Sequence, residues 1–513
     1  SFLDAHLVCG NSILGVIDQK IPLLGIPDEA YKALRGDDAA LCRALKVSNK
    51  KGLEEIRKNS GQTSLFEDSS AQYEAKRREC EAMPDDTVPQ VEAKAHAFAA
   101  LKAPDLASEI YMAAFLAPKN AESETLPASR ELFSVINGGD PEHLKPIVES
   151  AKELCAEAGV LNWNAVFPLV MRRGGFDCII GNPPWEKPKL MQIEWFAQRI
   201  PEIAGAHNKA ERERMIAKLK AGALRDICPE ATVTSENQKK IYREYLSDSR
   251  IAEAESLYIH TCSSEYPGRY PLTGKGDVNL YALFAETVYN LLAPRGRAGI
   301  IVPTGIATDD TTKRFFATLV SSKRIGKMLC FENRKKIFHD IDSRINFALL
   351  IMAEESAAAF SFFLHDIKQK SDERRLVTLT EEELALMNPN TLTLPVIRTV
   401  KDKEIALKIY KKVPVLIKEA DNKNGNPWQL SFMRMLDMSN DSRLFRNSRE
   451  ENNLPLYEGK MIHQFDSRWA TFDLPGKKDD ARNLSVTEKA DSVCEPKPRY
   501  WVRRDEVWAR TAD

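Results

Sequence analysis

The stretch "GGFDCIIGNPPWEKPKL" at residues 174–190 sets an apolar run directly against an asparagine, two prolines and a tryptophan. Phe176 to Ile180 have the length and character of one strand covered on both faces, as at the centre of a parallel sheet. Gly181 ends the run where the carboxyl edge of such a sheet opens into a crevice, and ligands bind at that edge. Asn182 and Pro183 each precede a proline, which pushes both toward extended backbone, while Pro183 and Pro184 have φ locked and no N–H. The result is a rigid loop whose carbonyls face no competing donor, followed by a flat ring. The plain alternative is a strand-ending turn whose tryptophan packs in the core.

Outward from this stretch, strands and helices alternate. "HLVCGNSILG" near the start reads as a short strand, a Gly-Asn turn and a helix start. Residues 19–150 change character: charged helical patterns such as "YEAKRRECEA" alternate with breakers such as "MPDD", "KAPD" and "NGGDPEH", which predicts a helical insertion. A second charged helical insert follows at 190–250. "LYALFAETVYNLLAPRGRAGIIVPTGIA" predicts helix, turn, strand and loop, and "INFALLIMA" predicts another buried strand. Helices between apolar strands imply a mostly parallel α/β sheet. Residues 1–18 and 151–355 are therefore expected to form a split core. From 356 to 513 the rhythm fades into long loops such as "NKNGNPW" and "DLPGKKDDARN", as in a separate module or the approach to one.

Composition narrows the class. With 513 residues, 43% of them hydrophobic, the chain can bury a large core, yet no stretch approaches the ~18 to 20 continuous apolar residues of a membrane span. The start "SFLDAHLVCGNSILG" has no signal-peptide pattern. Nine scattered cysteines without a CxxC pair suit reduced thiols in a cytosolic protein and offer no metal-ligand spacing. A net charge of −1 neither demands nor excludes a polyanionic partner, because a basic face can be balanced elsewhere. Local basic clusters lie at "MRRGG", "ENRKKIF" and "KPRYWVRRDEVWAR", each of which also reads as a solvated face.

A stiff loop with two free oxygens has a definite chemical use. An exocyclic amine on a nucleobase is a poor nucleophile because its lone pair is delocalised into the ring. If the Asn182 side-chain oxygen and the Pro183 carbonyl accept its two N–H bonds, the nitrogen is drawn toward tetrahedral geometry and can attack an electrophilic methyl group. Positioning of this kind supplies up to ~7 to 11 kcal/mol in favourable cases. Trp185 would stack on a flipped base, worth ~1 to 3 kcal/mol.

"FDCIIGNPPW" resembles motif IV of the amino-directed methyltransferases that use S-adenosylmethionine, where Asn-Pro-Pro-aromatic is typical of gamma-type N6-adenine DNA enzymes. The resemblance continues in order. "GKGDVNLYALFAETVYNLLAPRGRAGIIVPTGI" (274–306) carries the family's Asn279, Leu280 and Tyr281. "FENRKKIFHDIDSRINFALLIM" (331–352) resembles the segment with a second base-contacting aromatic. "PLYEGKMIHQFDSRWATF" (455–472) is similar to a stretch of large type IIG and DISARM-like restriction-modification and phage-defence methylases. The likeness covers roughly half of the chain.

The resemblance implies a Rossmann-like class I fold, with Asn182 and Pro183 accepting from the adenine amine, Pro184 setting the loop and Trp185 stacking on the base. It implies Phe338 as the second aromatic, with Phe347 as the alternative, and Asn11 beside the cofactor, although an Asx turn explains Asn11 equally simply. It implies double-stranded DNA and other restriction or defence subunits as partners. The family's glycine-rich motif I and its ribose-binding acid should precede "HLVCGN", and no such sequence lies within 1–513. The expectation is therefore a fragment beginning after the first two strands of the fold, with weak or absent cofactor binding.

Three rivals stand beside this reading. The same tetrapeptide serves enzymes that methylate glutamine side chains or RNA bases, although those are compact. "PDDTVPQVEAK" sets Pro84, Asp85, Glu92 and Lys94 in an order that mimics a metal-dependent nuclease motif. The third reading is a DNA-binding scaffold that is inactive without a cofactor-binding segment.

Overall fold

The computed structural model describes residues 3, 6–59, 66–101, 105–120, 125–137, 142–263, 266–421, 423–475 and 480–511. Parts of the predicted breakers at 102–105, 137–143 and 473–483 lie outside these residues. The chain divides into two compact units, Ser1–Lys418 and Glu419–Asp513.

In the first unit six strands form one sheet: β1 (Phe176–Gly181), β2 (Leu292–Pro303), β3 (Ile325–Glu332), β4 (Asn346–Met352), β5 (Ala358–Leu364) and β6 (Val377–Leu379), in spatial order β1-β2-β4-β3-β5-β6. β1 pairs with β2 and β3 with β5 in parallel, whereas β4 runs antiparallel to both β2 and β3, and β6 antiparallel to β5. The sheet is thus mixed, which corrects the expectation of a mostly parallel one. The reason is local: the link from β3 to β4 holds only the 3-10 turn Asn333–Lys335 and no crossover helix, so the chain must return antiparallel.

β1 is also not central. It forms the edge of the sheet, and only one of its faces is covered: Ile179 packs against the core while Cys178 is exposed and Ile180 is 86% exposed. An apolar run reads alike in an edge strand and a central one, because pairing partners are non-local. The change of character at 356 falls inside the sheet as well, since β5 and β6 extend it to residue 379, and the two units divide only at 418/419.

The main core lies between one face of this sheet and a helical layer. Ala298, Ile300, Val302, Met328, Ala348 and Leu350 meet helices Leu280–Leu291, Lys313–Ser321 and Glu381–Met387 through Ala285, Phe315, Phe316, Leu319 and Leu384. On the other face a smaller cluster, Leu329, Phe331, Phe347 and Leu364, packs with Trp185 and Ile337. This split follows the two-residue alternation of strands.

The N-terminal third is helical, as predicted, with helices Ala39–Asn59, Phe66–Ala82, Val88–Ala99, Leu106–Leu116, Ser129–Ile136 and Lys145–Glu157. Helix Leu106–Leu116 is apolar on nearly every side and buried all round, as such a helix must be. It shares a core with Leu14, Val16, Ile26, Tyr31, Leu132, Ala254 and Tyr258, so the segment around Leu14, this helical region and helix Ser235–His260 pack together. The strand and helix start expected in "HLVCGNSILG" do not form. That segment is irregular apart from a bridge between Asn11 and Val160, and the first regular turn is Pro22–Leu24. No helix among the described residues is long and apolar enough to cross a membrane.

The second unit is built on short antiparallel pairs, β7 (Asn453–Leu456) with β10 (Tyr500–Arg503) and β8 (Ala470–Thr471) with β9 (Arg482–Asn483).

Candidate functional site

The loop that begins at Asn182 leaves the carboxyl end of β1, where Gly181 still pairs with Ile300. Asn182 is exposed, Pro183 buried, Pro184 exposed and Trp185 half-buried. Among the described residues neither the Asn182 side chain nor the Pro183 carbonyl has a hydrogen-bond partner, so both oxygens are available to a ligand. Trp185 packs against both core clusters of the sheet without being sealed.

The far end of the loop is tied down by contacts that no local pattern announces. The Leu280 N–H donates to the Glu186 carbonyl at 2.8 Å, joining the loop to the start of helix Leu280–Leu291. Asp277 pairs with Lys187 and with Lys189 (3.3 Å), and these hydrogen bonds hold its carboxyl below the usual range. The Asn-Leu-Tyr segment at 279–281 therefore acts here as the dock for the proline loop, with Tyr281 buried.

Phe338 lies on the connection between β3 and β4 and is 37% exposed. Its ring meets Phe347 edge-on at 5.0 Å, and Phe347 stacks on Phe331 at 5.2 Å. Phe331 and Phe347 belong to the cluster that Trp185 packs against, so the structure brings the Trp185 and Phe338 segments to the same face of the sheet. Phe347, the alternative, is buried.

Asn333, unremarked in the sequence, organises that connection. It is fully buried; its Nδ2 donates to the carbonyls of Phe338 (2.9 Å) and Ile341 (3.0 Å), and its Oδ1 accepts from the Phe338 N–H (3.0 Å). Its partners are backbone atoms, which carry no side-chain signal in a sequence.

A cleft of about 440 Å³ runs along β1, lined by Asn182, Pro183, Ser12, Trp163, Phe284 and Thr287 among others. Its wall offers aromatic, aliphatic and small polar groups, and among the described residues no carboxylate lines it. These residues therefore do not make a complete site for a nucleoside cofactor, whose ribose hydroxyls call for an acidic acceptor. Asn11 is engaged within the fold: its Oδ1 accepts from the Ile13 N–H at 3.2 Å, an Asx turn, and its Nδ2 donates to Glu255 at 3.3 Å. Burial raises the Glu255 carboxyl to about 6.

Of the nuclease-like segment the structure brings together only Asp85 and Lys94, paired at 3.5 Å; the Lys94 Nζ is buried and also donates to the carbonyls of Glu81 (3.0 Å) and Met83 (2.9 Å), tethering the end of helix Phe66–Ala82, while Glu92 points to solvent. Among the described residues no group of three acidic, histidine or cysteine side chains could hold a metal ion.

Residues 113–257 match the family model described as Eco57I restriction-modification methylase. The match takes in Asn182 to Trp185. No curated protein matches the chain. Among solved structures, a nuclease-deletion mutant of the Type ISP restriction-modification enzyme LlaGI in complex with a DNA substrate mimic is 11% identical, with a TM-score of 0.15; the alignment covers 63% of this chain and 35% of that one. The type I restriction-modification methyltransferase subunit from Streptococcus thermophilus is 12% identical, with a TM-score of 0.16 and coverage of 71% and 85%. At TM-scores this low neither likeness bears on the fold.

Proposed function

We propose that the chain is a site-specific DNA methyltransferase of a restriction-modification or phage-defence system that methylates the N6 amine of adenine with S-adenosylmethionine as donor. The observation that carries this reading is the pair of unclaimed oxygens, Asn182 Oδ1 and Pro183 O, on a proline-locked loop beside the cleft along β1. S-adenosylmethionine, once a completed site held it, would supply a methyl group and leave as a neutral thioether, the methylated amine giving up one proton to water; this chain's part would be to prepare the acceptor. The target base leaves the duplex and stacks on Trp185, because the amine cannot be reached within the helix. The Asn182 Oδ1 and the Pro183 carbonyl then accept hydrogen bonds from its two N–H groups, which localises the lone pair on nitrogen. The loop is held at Gly181, at Glu186 and at Asp277, so little reorganisation is left for the reacting state.

The test is methyl transfer to DNA by the full-length protein and by Asn182→Ala. Loss of one such acceptor is expected to lower the rate by roughly 100- to 1,000-fold, by analogy with a lost oxyanion donor, with folding and DNA binding unchanged. Unchanged transfer contradicts the assignment.

The cleft's lack of a carboxylate favours a second reading, a DNA-binding scaffold that is inactive until another segment or subunit completes the cofactor site. DNA binding without methyl transfer, and transfer restored by that missing part, would distinguish the two.

A further inference from the structure

The segment "KMIHQFDSRW" at 460–469 forms a projecting tip in the second unit. His463 and Asp466 make an isolated antiparallel bridge closed by both backbone bonds, His463 N–H to the Asp466 carbonyl (2.8 Å) and Asp466 N–H to the His463 carbonyl (3.1 Å). Gln464 and Phe465 are the two residues of the turn, and Phe465 is 92% exposed, the most exposed of the large hydrophobic side chains described. A phenyl ring held at the apex of a two-residue turn is free to enter an apolar or aromatic environment, where its burial is favourable.

The tip stands on a stiff stem. The His463 ring lies against Trp469 at 4.6 Å, and the Lys489 ammonium sits 4.0 Å over that same ring while pairing with Asp466 at 2.7 Å. Arg468 donates to the carbonyls of Lys489 (2.6 Å) and Asp491 (2.8 Å), and Trp469 N–H bonds the carbonyl of the buried Met461 at 2.9 Å. A ring presented this rigidly loses little entropy on insertion.

We propose that Phe465 is a wedge that enters a base step of duplex DNA, partly unstacking it, with the Gln464 amide beside it to meet base edges. The inference rests on the reading of this chain as a DNA enzyme. A protein partner would be met by an apolar patch of a few hundred Å², whereas the apex offers one ring beside the Gln464 amide, and the exposed residues before it, Lys460, Ile462 and His463, are mixed in character, the shape of the apolar wedges that kink DNA.

The experiment ligates nicked plasmid in the presence of the full chain at low salt and reads the linking number after deproteinisation. Wild type is expected to shift it, Phe465→Leu to keep most of the shift and Phe465→Ala to lose it, with plasmid affinity down roughly 5- to 100-fold and an unchanged melting curve. An equal shift with Phe465→Ala overturns the wedge. So does a variant that binds DNA normally but loses self-association in sedimentation, which would mark the tip as a protein contact. A wild-type chain that retains plasmid without unwinding it sinks the wedge alone; one that retains no plasmid sinks the DNA reading too. Intact unwinding without methyl transfer counts only against the methyltransferase assignment.

Discussion

Phe338 and Asn333 divide two tasks that the sequence places five residues apart. Phe338 offers an exposed ring on the face that Trp185 shares, and its substitution by Ala should weaken binding of a flipped base by ~1 to 3 kcal/mol with little change in melting temperature. Asn333 touches nothing outside its own loop, so it is a positioning residue. Asn333→Ala removes three hydrogen bonds, two to the Phe338 and Ile341 carbonyls and one from the Phe338 N–H, and should cost ~1 to 3 kcal/mol of stability, together with the base binding proposed for Phe338. Equal melting temperatures for the two variants would show that Asn333 does not hold the loop. The proline loop was legible from sequence because proline acts on its own dihedral angles and its neighbour's. Asn333 was not, because its partners are main-chain atoms, and Asn11 resolved as an Asx turn only once the Ile13 N–H was seen to reach it.

Helix Leu106–Leu116 carries a pH dependence at its start. Burial raises the Asp105 carboxyl to about 7, against the Asn162 amide that donates to it at 2.7 Å, and burial raises Glu109 as well. The folded chain thus holds a proton on Asp105 where the unfolded chain has already lost it. Stability from this group is present below about 4 and falls as pH rises toward about 7. Asp105→Asn keeps the acceptor for Asn162 and removes the ionisation, so its advantage in melting temperature over wild type should grow from pH 4 to pH 7 and then level off; a constant difference would show that Asp105 does not titrate in this window. Helices were legible as elements because their periodicity is local. The edge position of β1 and the antiparallel insertion of β4 were not, because apolar strands read alike wherever they pair.

For the whole molecule, a net charge of −1 means that the proposed DNA binding would rest on local faces. The C-terminal basic run is largely neutralised within its own unit: Arg499 pairs with Glu458, Arg503 with Asp505, and Arg510 with Asp441 and Glu506. Lys335, beside the Phe338 loop, is exposed and has no ion partner among the described residues. Lys335→Ala should weaken binding of every DNA sequence alike and flatten the log–log salt dependence by about one unit; a change confined to one sequence would mean that it reads a base instead. All of this depends on what is captured at Asn182 and Pro183. The most direct measurement is nucleoside analysis of DNA incubated with the full-length protein and S-adenosylmethionine labelled in its methyl group. Label should appear in N6-methyladenine and vanish with Asn182→Ala. Label in 5-methylcytosine, in RNA or in protein, or label in adenine undiminished by the substitution, would contradict the account.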